Sequence, residues 1–131
     1  MTKKLKEKPL VFIVEDNHAY RMLLGKVLEK SGFMVMMFEH GRKALEMLKH
    51  IQPSLILSDI VMPCMDGFEF LTSIRQNFSQ VDIPFIYLTS STSTQNVNRA
   101  IELGAHTLLS KPISPSALTE TLNEALKRIA A

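Results

Sequence analysis

Short apolar runs of strand character alternate with longer stretches of helical spacing along this chain, and the alternation occurs five times. Leu10–Val14 reads as a strand, and Tyr20, Leu23, Leu24, Val27 and Leu28 then recur at helical intervals until Ser31-Gly32. Phe33–Phe38 is a second strand. Ala44, Leu45, Leu48 and Ile51 mark a second helix that Pro53 closes before a third strand at Leu55–Ser58. Gly67 to about Phe78 reads as a helix with Phe68, Leu71 and Ile74 inward, followed by a strand at Pro84–Thr89. A helix over Thr94–Leu103 stops at Gly104, a short strand covers Thr107–Leu109, and Leu118, Leu122, Ala125 and Ile129 pattern the last helix. Right-handed crossovers between parallel strands place helices on both faces of a sheet, so the pattern predicts an α/β fold with a doubly wound five-stranded parallel sheet.

The chain has room for one such unit. Its 131 residues suit a single core, and 46% hydrophobic with 21% charged residues is ordinary globular composition. Residues 1–9 read as a basic leader carrying Lys3, Lys4, Lys6 and Lys8, and 10–131 as the domain. A net charge of +2 is too small to imply nucleic acid, and no apolar run is long enough to span a membrane. The single cysteine, Cys64, and the absence of a signal-peptide pattern predict a cytoplasmic setting. The eight methionines read as core packing, and His18, His40, His50 and His106 show no metal-ligand spacing. His18, two residues beyond the Glu15-Asp16 pair, is a candidate contact for a docking partner. The chain ends at Ala131 directly after its last helix, which predicts either a stand-alone unit or a fragment of a longer protein.

Ligands of doubly wound sheets bind beyond the carboxyl ends of the strands. Here those ends are polar: Glu15-Asp16 after the first strand, Asp59 after the third, Thr89-Ser90 after the fourth and Lys111-Pro112 after the fifth. Where the first and third strands are neighbours, three carboxylates converge, and their repulsion calls for a cation. A hard dication such as Mg²⁺ takes a few carboxylate oxygens and shares its remaining positions with water and phosphate. Asp59 can then act as nucleophile toward phosphorus, while Lys111 and the Thr89 hydroxyl meet the equatorial oxygens. The product is an aspartyl phosphate.

The segments "FIVEDN", "LILSDIVMPCMDG", "IYLTSS" and "LLSKPIS" together resemble the receiver domain of two-component response regulators, the CheY-like fold, over essentially all of the chain after residue 9. The resemblance implies a strand order of 2-1-3-4-5. It implies that Asp59 accepts a phosphoryl group from a sensor histidine kinase or a histidine phosphotransfer protein. By the same likeness Asp16, Asp59 and the main-chain carbonyl of Val61 hold Mg²⁺, with Glu15 acting directly or through water, Thr89 and Lys111 read the phosphoryl oxygens, and the Lys111-Pro112 bond is cis. Val61 and Ser91 flank the site and tune water access. The expected output is a changed set of protein contacts, through a downstream target, a linked output domain or a phosphorylation-dependent homodimer, with no direct binding of nucleic acid or membrane. Such a domain is a signalling switch, not an enzyme acting on a separate substrate.

One position departs from the family pattern. Leu108 stands three residues before the lysine, where family members commonly carry a tyrosine or phenylalanine that follows the threonine. Tyr87 sits on the Thr89 face of its strand and reads first as core packing, second as a substitute switch.

Rival chemistries fail on particular residues. A haloacid dehalogenase-type phosphatase needs a second aspartate where Val61 stands, a nucleotide or flavin site would meet repulsion from Glu15-Asp16, and no G-x-S-x-G elbow is present. The remaining alternative is a receiver-like scaffold that binds partners without being phosphorylated.

Overall fold

The computed structural model describes residues 7–79 and 82–130, with the side chains of 128–130 outside the description. The lysines at 3, 4 and 6 and the inward placement of Ile129 therefore lie outside the described residues. Five strands, β1 (Leu10–Val14), β2 (Met34–Phe38), β3 (Leu55–Ser58), β4 (Phe85–Thr89) and β5 (Thr107–Ser110), alternate with α1 (His18–Lys30), α2 (Gly41–Leu48), α3 (Gly67–Asn77), α4 (Thr94–Glu102) and α5 (Pro115–Ala130). All strand pairs are parallel, in the order β2-β1-β3-β4-β5.

Alternation along each strand builds two cores, because successive side chains leave a strand on opposite faces. Phe12 and Val14 of β1, Ile56 of β3 and Phe85 and Tyr87 of β4 face Ala44, Leu48, Phe70, Leu71 and Ile74 of α2 and α3, with Ala100 of α4. Val11, Ile13, Leu55, Leu57, Ile86 and Leu88 face the other way, against Leu24 and Leu28 of α1 and Leu118, Leu122 and Ala125 of α5. Each fully buried large apolar side chain contributes about 1.5–3 kcal/mol of transfer free energy. The three central strands are buried along nearly their whole length for this reason, and no helix of the described residues is long and apolar enough to cross a membrane.

Three expectations from periodicity need correction. Leu23 shares the α1 spacing but is 53% exposed, and Ile51 lies beyond the end of α2 and is also exposed. The core reading of the methionines needs correction only in part: Met62 is buried and Met36, Met47 and Met65 pack partly buried against the core, whereas Met22, Met34 and Met37 are exposed. Met34 and Met37 belong to β2, which has a single neighbour strand and stands at the edge of the sheet. A helix period identifies a face, and an edge strand leaves that face only half covered.

Helix entries fix the loops around the carboxyl ends of the strands. Asn17, not Asp16, caps α1, its side chain accepting from the Tyr20 N–H at 2.9 Å. Asp66 caps α3 in a reciprocal box with Glu69, with bonds of 2.8 and 3.2 Å. Ser93 caps α4 by accepting from the Asn96 N–H. Gly67 opens α3 where the chain passes against the end of β3: a Cβ there would stand 2.3 Å from the Asp59 carbonyl oxygen and 2.8 Å from the Ile60 Cα. Neither of those atoms can swing away, since both are backbone. Gly67→Ala should therefore destabilise the fold by about 1–3 kcal/mol in urea unfolding. Ala at Gly32, where a Cβ meets nothing but the backbone has a φ of +95°, separates crowding from conformational strain.

Candidate functional site

Parallel strands with β1 and β3 adjacent deliver the ends of both to one edge of the sheet. Glu15 continues β1, its N–H donating to the Phe38 carbonyl at 3.0 Å, and Asp59 continues β3, its N–H donating to the Val14 carbonyl at 3.1 Å. The backbone ladder thus extends one residue past the assigned strands and carries both carboxylates into a nearly closed position. Glu15 is 2% exposed and Asp59 8%. Asp16 stays exposed beside them, and one oxygen from each of Glu15, Asp16 and Asp59 lies within 4.8 Å of the others.

Lys111 reaches this cluster from the end of β5, just before a cis Lys111–Pro112 bond. Its ammonium donates to Asp59 Oδ2 at 2.7 Å and to Glu15 Oε1. The other carboxylate oxygens are held by backbone: Asp59 Oδ1 accepts from the Ile60 N–H at 2.6 Å, and Glu15 Oε2 from the Asn17 N–H at 3.0 Å. Burial still pushes the Glu15 carboxyl above its ordinary range, although Lys111 and the Asn17 N–H oppose the shift. Burial works against the Lys111 ammonium too, but its bonds to Asp59 and Glu15 outweigh that and raise it. Three acids and one ammonium leave the site with an excess of negative charge, and the carboxylate oxygens form a hard donor set of the kind Mg²⁺ takes.

Thr89 is fully buried at the end of β4, and its Oγ1 accepts from the Ser91 N–H at 3.1 Å. Asn96 on α4 fastens the same loop, donating to the Ser91 carbonyl at 2.9 Å and to Ser91 Oγ at 2.8 Å. Val61 is exposed two residues beyond Asp59. Leu108 is not among the acids: it pairs with Tyr87 in the β4–β5 register and lines a recess between α4 and β5 with Val97, Ala100 and Ile101. Tyr87 packs edge-on against Phe68 and Phe85, and its hydroxyl donates to the Gly67 carbonyl at 2.7 Å, a core placement. Burial raises its phenol strongly. Exposed Cys64 occupies the β3–α3 loop with a φ of +69°.

Two residues of α1 join the site without having been picked out for it in the sequence. Arg21 donates to the Glu15 carbonyl at 2.7 Å and more weakly to the Asp16 carbonyl at 3.5 Å, and its other nitrogen lies 2.9 Å from His18 Nδ1. Tyr20 lies under the Lys111 ammonium, 4.6 Å from the ring centroid. Arginine bound to main-chain carbonyls leaves no mark in a sequence, and Tyr20 was legible only as one position of a helical stripe.

Removing the ammonium leaves two buried carboxylates without their shared partner. Lys111→Met should therefore lower stability by about 1–3 kcal/mol at pH 7. In that variant the Glu15 carboxyl, raised above its unfolded value of 4.5 by burial, loses the group that holds it down. A raised folded value means stability is gained as pH falls through it, so the deficit should shrink toward pH 5. Urea unfolding of both proteins at the two pH values measures it, and a constant deficit would count against the charge explanation.

Comparison with known proteins shows the family and the fold. A family model described as the response regulator receiver domain matches residues 11–123. The two-component response regulator ORR5 of Oryza sativa subsp. japonica is 31% identical over 120 residues, which span 91% of this chain and 90% of that protein. A histidine kinase of Formosa agariphila is 35% identical over 109 residues, covering 83% of this chain and 8% of its own length. Among solved structures, the chemotaxis response regulator CheY4 of Vibrio cholerae superposes with a TM-score of 0.84 at 30% identity, over 91% of this chain and 99% of that one.

Proposed function

We propose that this chain, which belongs to the response regulator receiver domain family, accepts a phosphoryl group on Asp59 in a Mg²⁺-dependent reaction and thereby switches its protein contacts. The observation that carries this reading is the Lys111 ammonium shared between Glu15 and Asp59 at the edge of a three-carboxylate cluster. Receiver domains act with histidine kinases in signalling, and the donor here would be the phosphohistidine of such a kinase or of a histidine phosphotransfer protein.

In the transfer, an Asp59 carboxylate oxygen attacks phosphorus. The new O–P bond forms as the donor's N–P bond breaks, and the electron pair returns to the imidazole nitrogen, which is reprotonated from solvent. Lys111 follows the developing charge from the Asp59 carboxylate to a phosphoryl oxygen, and the Ile60 N–H steadies the remaining Asp59 oxygen. Glu15, Asp16, Asp59 and the Val61 carbonyl would hold Mg²⁺, which when bound neutralises the acids and the equatorial phosphoryl oxygens. Hydrolysis reverses the modification when water attacks phosphorus and the O–P bond to Asp59 breaks. Val61 and Ser91, at the mouth of the site, would govern the approach of that water.

The switch follows from the bond Thr89 now makes. Its hydroxyl oxygen accepts from Ser91 in the unmodified protein, and a phosphoryl oxygen on Asp59 would offer that hydroxyl a charged acceptor. Turning toward it draws on the loop that Asn96 ties to α4, so the α4–β5 side is where the state of Asp59 would be read. With Leu108 in place of an aromatic, the reading would fall to α4 and its loop. A downstream protein, a linked output domain or a second copy of this chain would be the reader, in the cytoplasm.

Incubation with acetyl phosphate and Mg²⁺, followed by intact-mass spectrometry, tests the proposal. Wild-type protein should gain one phosphoryl group, and Asp59→Asn and EDTA-treated protein should gain none. An unmodified wild type would favour a receiver-like scaffold instead.

A further inference from the structure

Lys111 has three N–H donors and, on its carboxylate side, two acceptors. Its flexible four-carbon stem does not by itself hold the third direction. That direction is taken by the face of Tyr20: the ammonium sits 4.6 Å from the ring centroid, within the range of a cation–π contact. Tyr20 is itself fixed from two sides. Its own N–H donates to Asn17 at the helix cap, and its half-buried side chain meets the α1/α5 core reached also by Ile113, two residues after Lys111. The ring therefore bridges the turn that carries the acidic pair and the loop that carries the lysine.

Building on the proposed phosphoryl transfer, we infer that Tyr20 is a positioning residue: its ring holds the Lys111 ammonium over Asp59 and keeps hold of it as the ammonium passes from a carboxylate to a phosphoryl oxygen. A ring face suits this role better than a hydrogen-bond acceptor. Its attraction varies little as a cation slides across it, so Lys111 can change oxygen partners without surrendering its third contact. An acceptor in the same place would compete with phosphate for the ammonium. On its open side the ring borders a recess formed with Asn17, Ala19, Leu23 and Lys111, so the donor can approach without displacing it.

Two measurements test the inference. In the unmodified protein, the methylene protons next to the Lys111 ammonium should resonate upfield of those of the other lysines through the Tyr20 ring current, and the displacement should vanish in Tyr20→Leu. In stopped reactions with acetyl phosphate and Mg²⁺, run well below the melting temperature of either protein, Tyr20→Leu should slow adduct formation roughly three- to tenfold. Tyr20→Phe, which keeps the face and loses the hydroxyl, should recover most of the rate. The inference falls if Tyr20→Leu reacts at the wild-type rate, if Tyr20→Phe is as slow as Tyr20→Leu, or if the Lys111 methylene resonances lack the ring-current displacement. Failure of wild-type protein to form any adduct would overturn the proposed function instead, and the resonance measurement would then decide the contact on its own.

Discussion

One ammonium between two buried carboxylates organises the functional edge of this protein. Glu15 and Asp59 are carried to the end of adjacent strands by the backbone ladder itself, where burial penalises the charge on Glu15. Lys111 offsets that penalty, and each carboxylate oxygen it leaves free is met by a backbone N–H. The cost of assembling like charges is thus met locally, by the group that the proposed phosphoryl transfer would draw onto phosphate. The same arrangement explains why Gly67 must lack a side chain: the loop after Asp59 folds so tightly onto α3 that a Cβ would meet main-chain atoms.

Around that pair the molecule has a stiff part and a readily rearranged one. The three central strands and the helices that cover them are close-packed, and Tyr87 locks β4 to the start of α3 through its hydroxyl. The loop after β4 is held differently, by the Thr89–Ser91 bond and by Asn96, and of α4 only Ala100 is buried. Side-chain hydrogen bonds of this kind can be exchanged for others at small cost, whereas a packed aromatic cannot move without opening a cavity. A modification at Asp59 would therefore be felt first in that loop and in α4.

Tyr20 and Arg21 show how a helix whose first turn holds no acidic side chain can still shape a charged site. Arg21 grips the carbonyls of Glu15 and Asp16 and so fixes the turn from which both acids project. Tyr20 presents a ring face to the lysine arriving from the opposite end of the chain, 91 positions away in a sequence whose local pattern says nothing of the meeting.

Alternating apolar periods determined the five βα units, and right-handed crossover chemistry then required a parallel sheet with polar groups gathered beyond its strand ends. Glu15, Asp16, Asp59, Thr89 and Lys111 were legible because each interrupts or follows an apolar run that has no other use for a polar side chain. The cap of α1, the exposure of Leu23 and of the methionines on β2, the arginine clamp and the Tyr20 ring under Lys111 were decided only by the tertiary structure. Periodicity reports which side of an element is apolar. It carries no information on how completely a neighbour covers that side, nor on which distant side chain will lie across it.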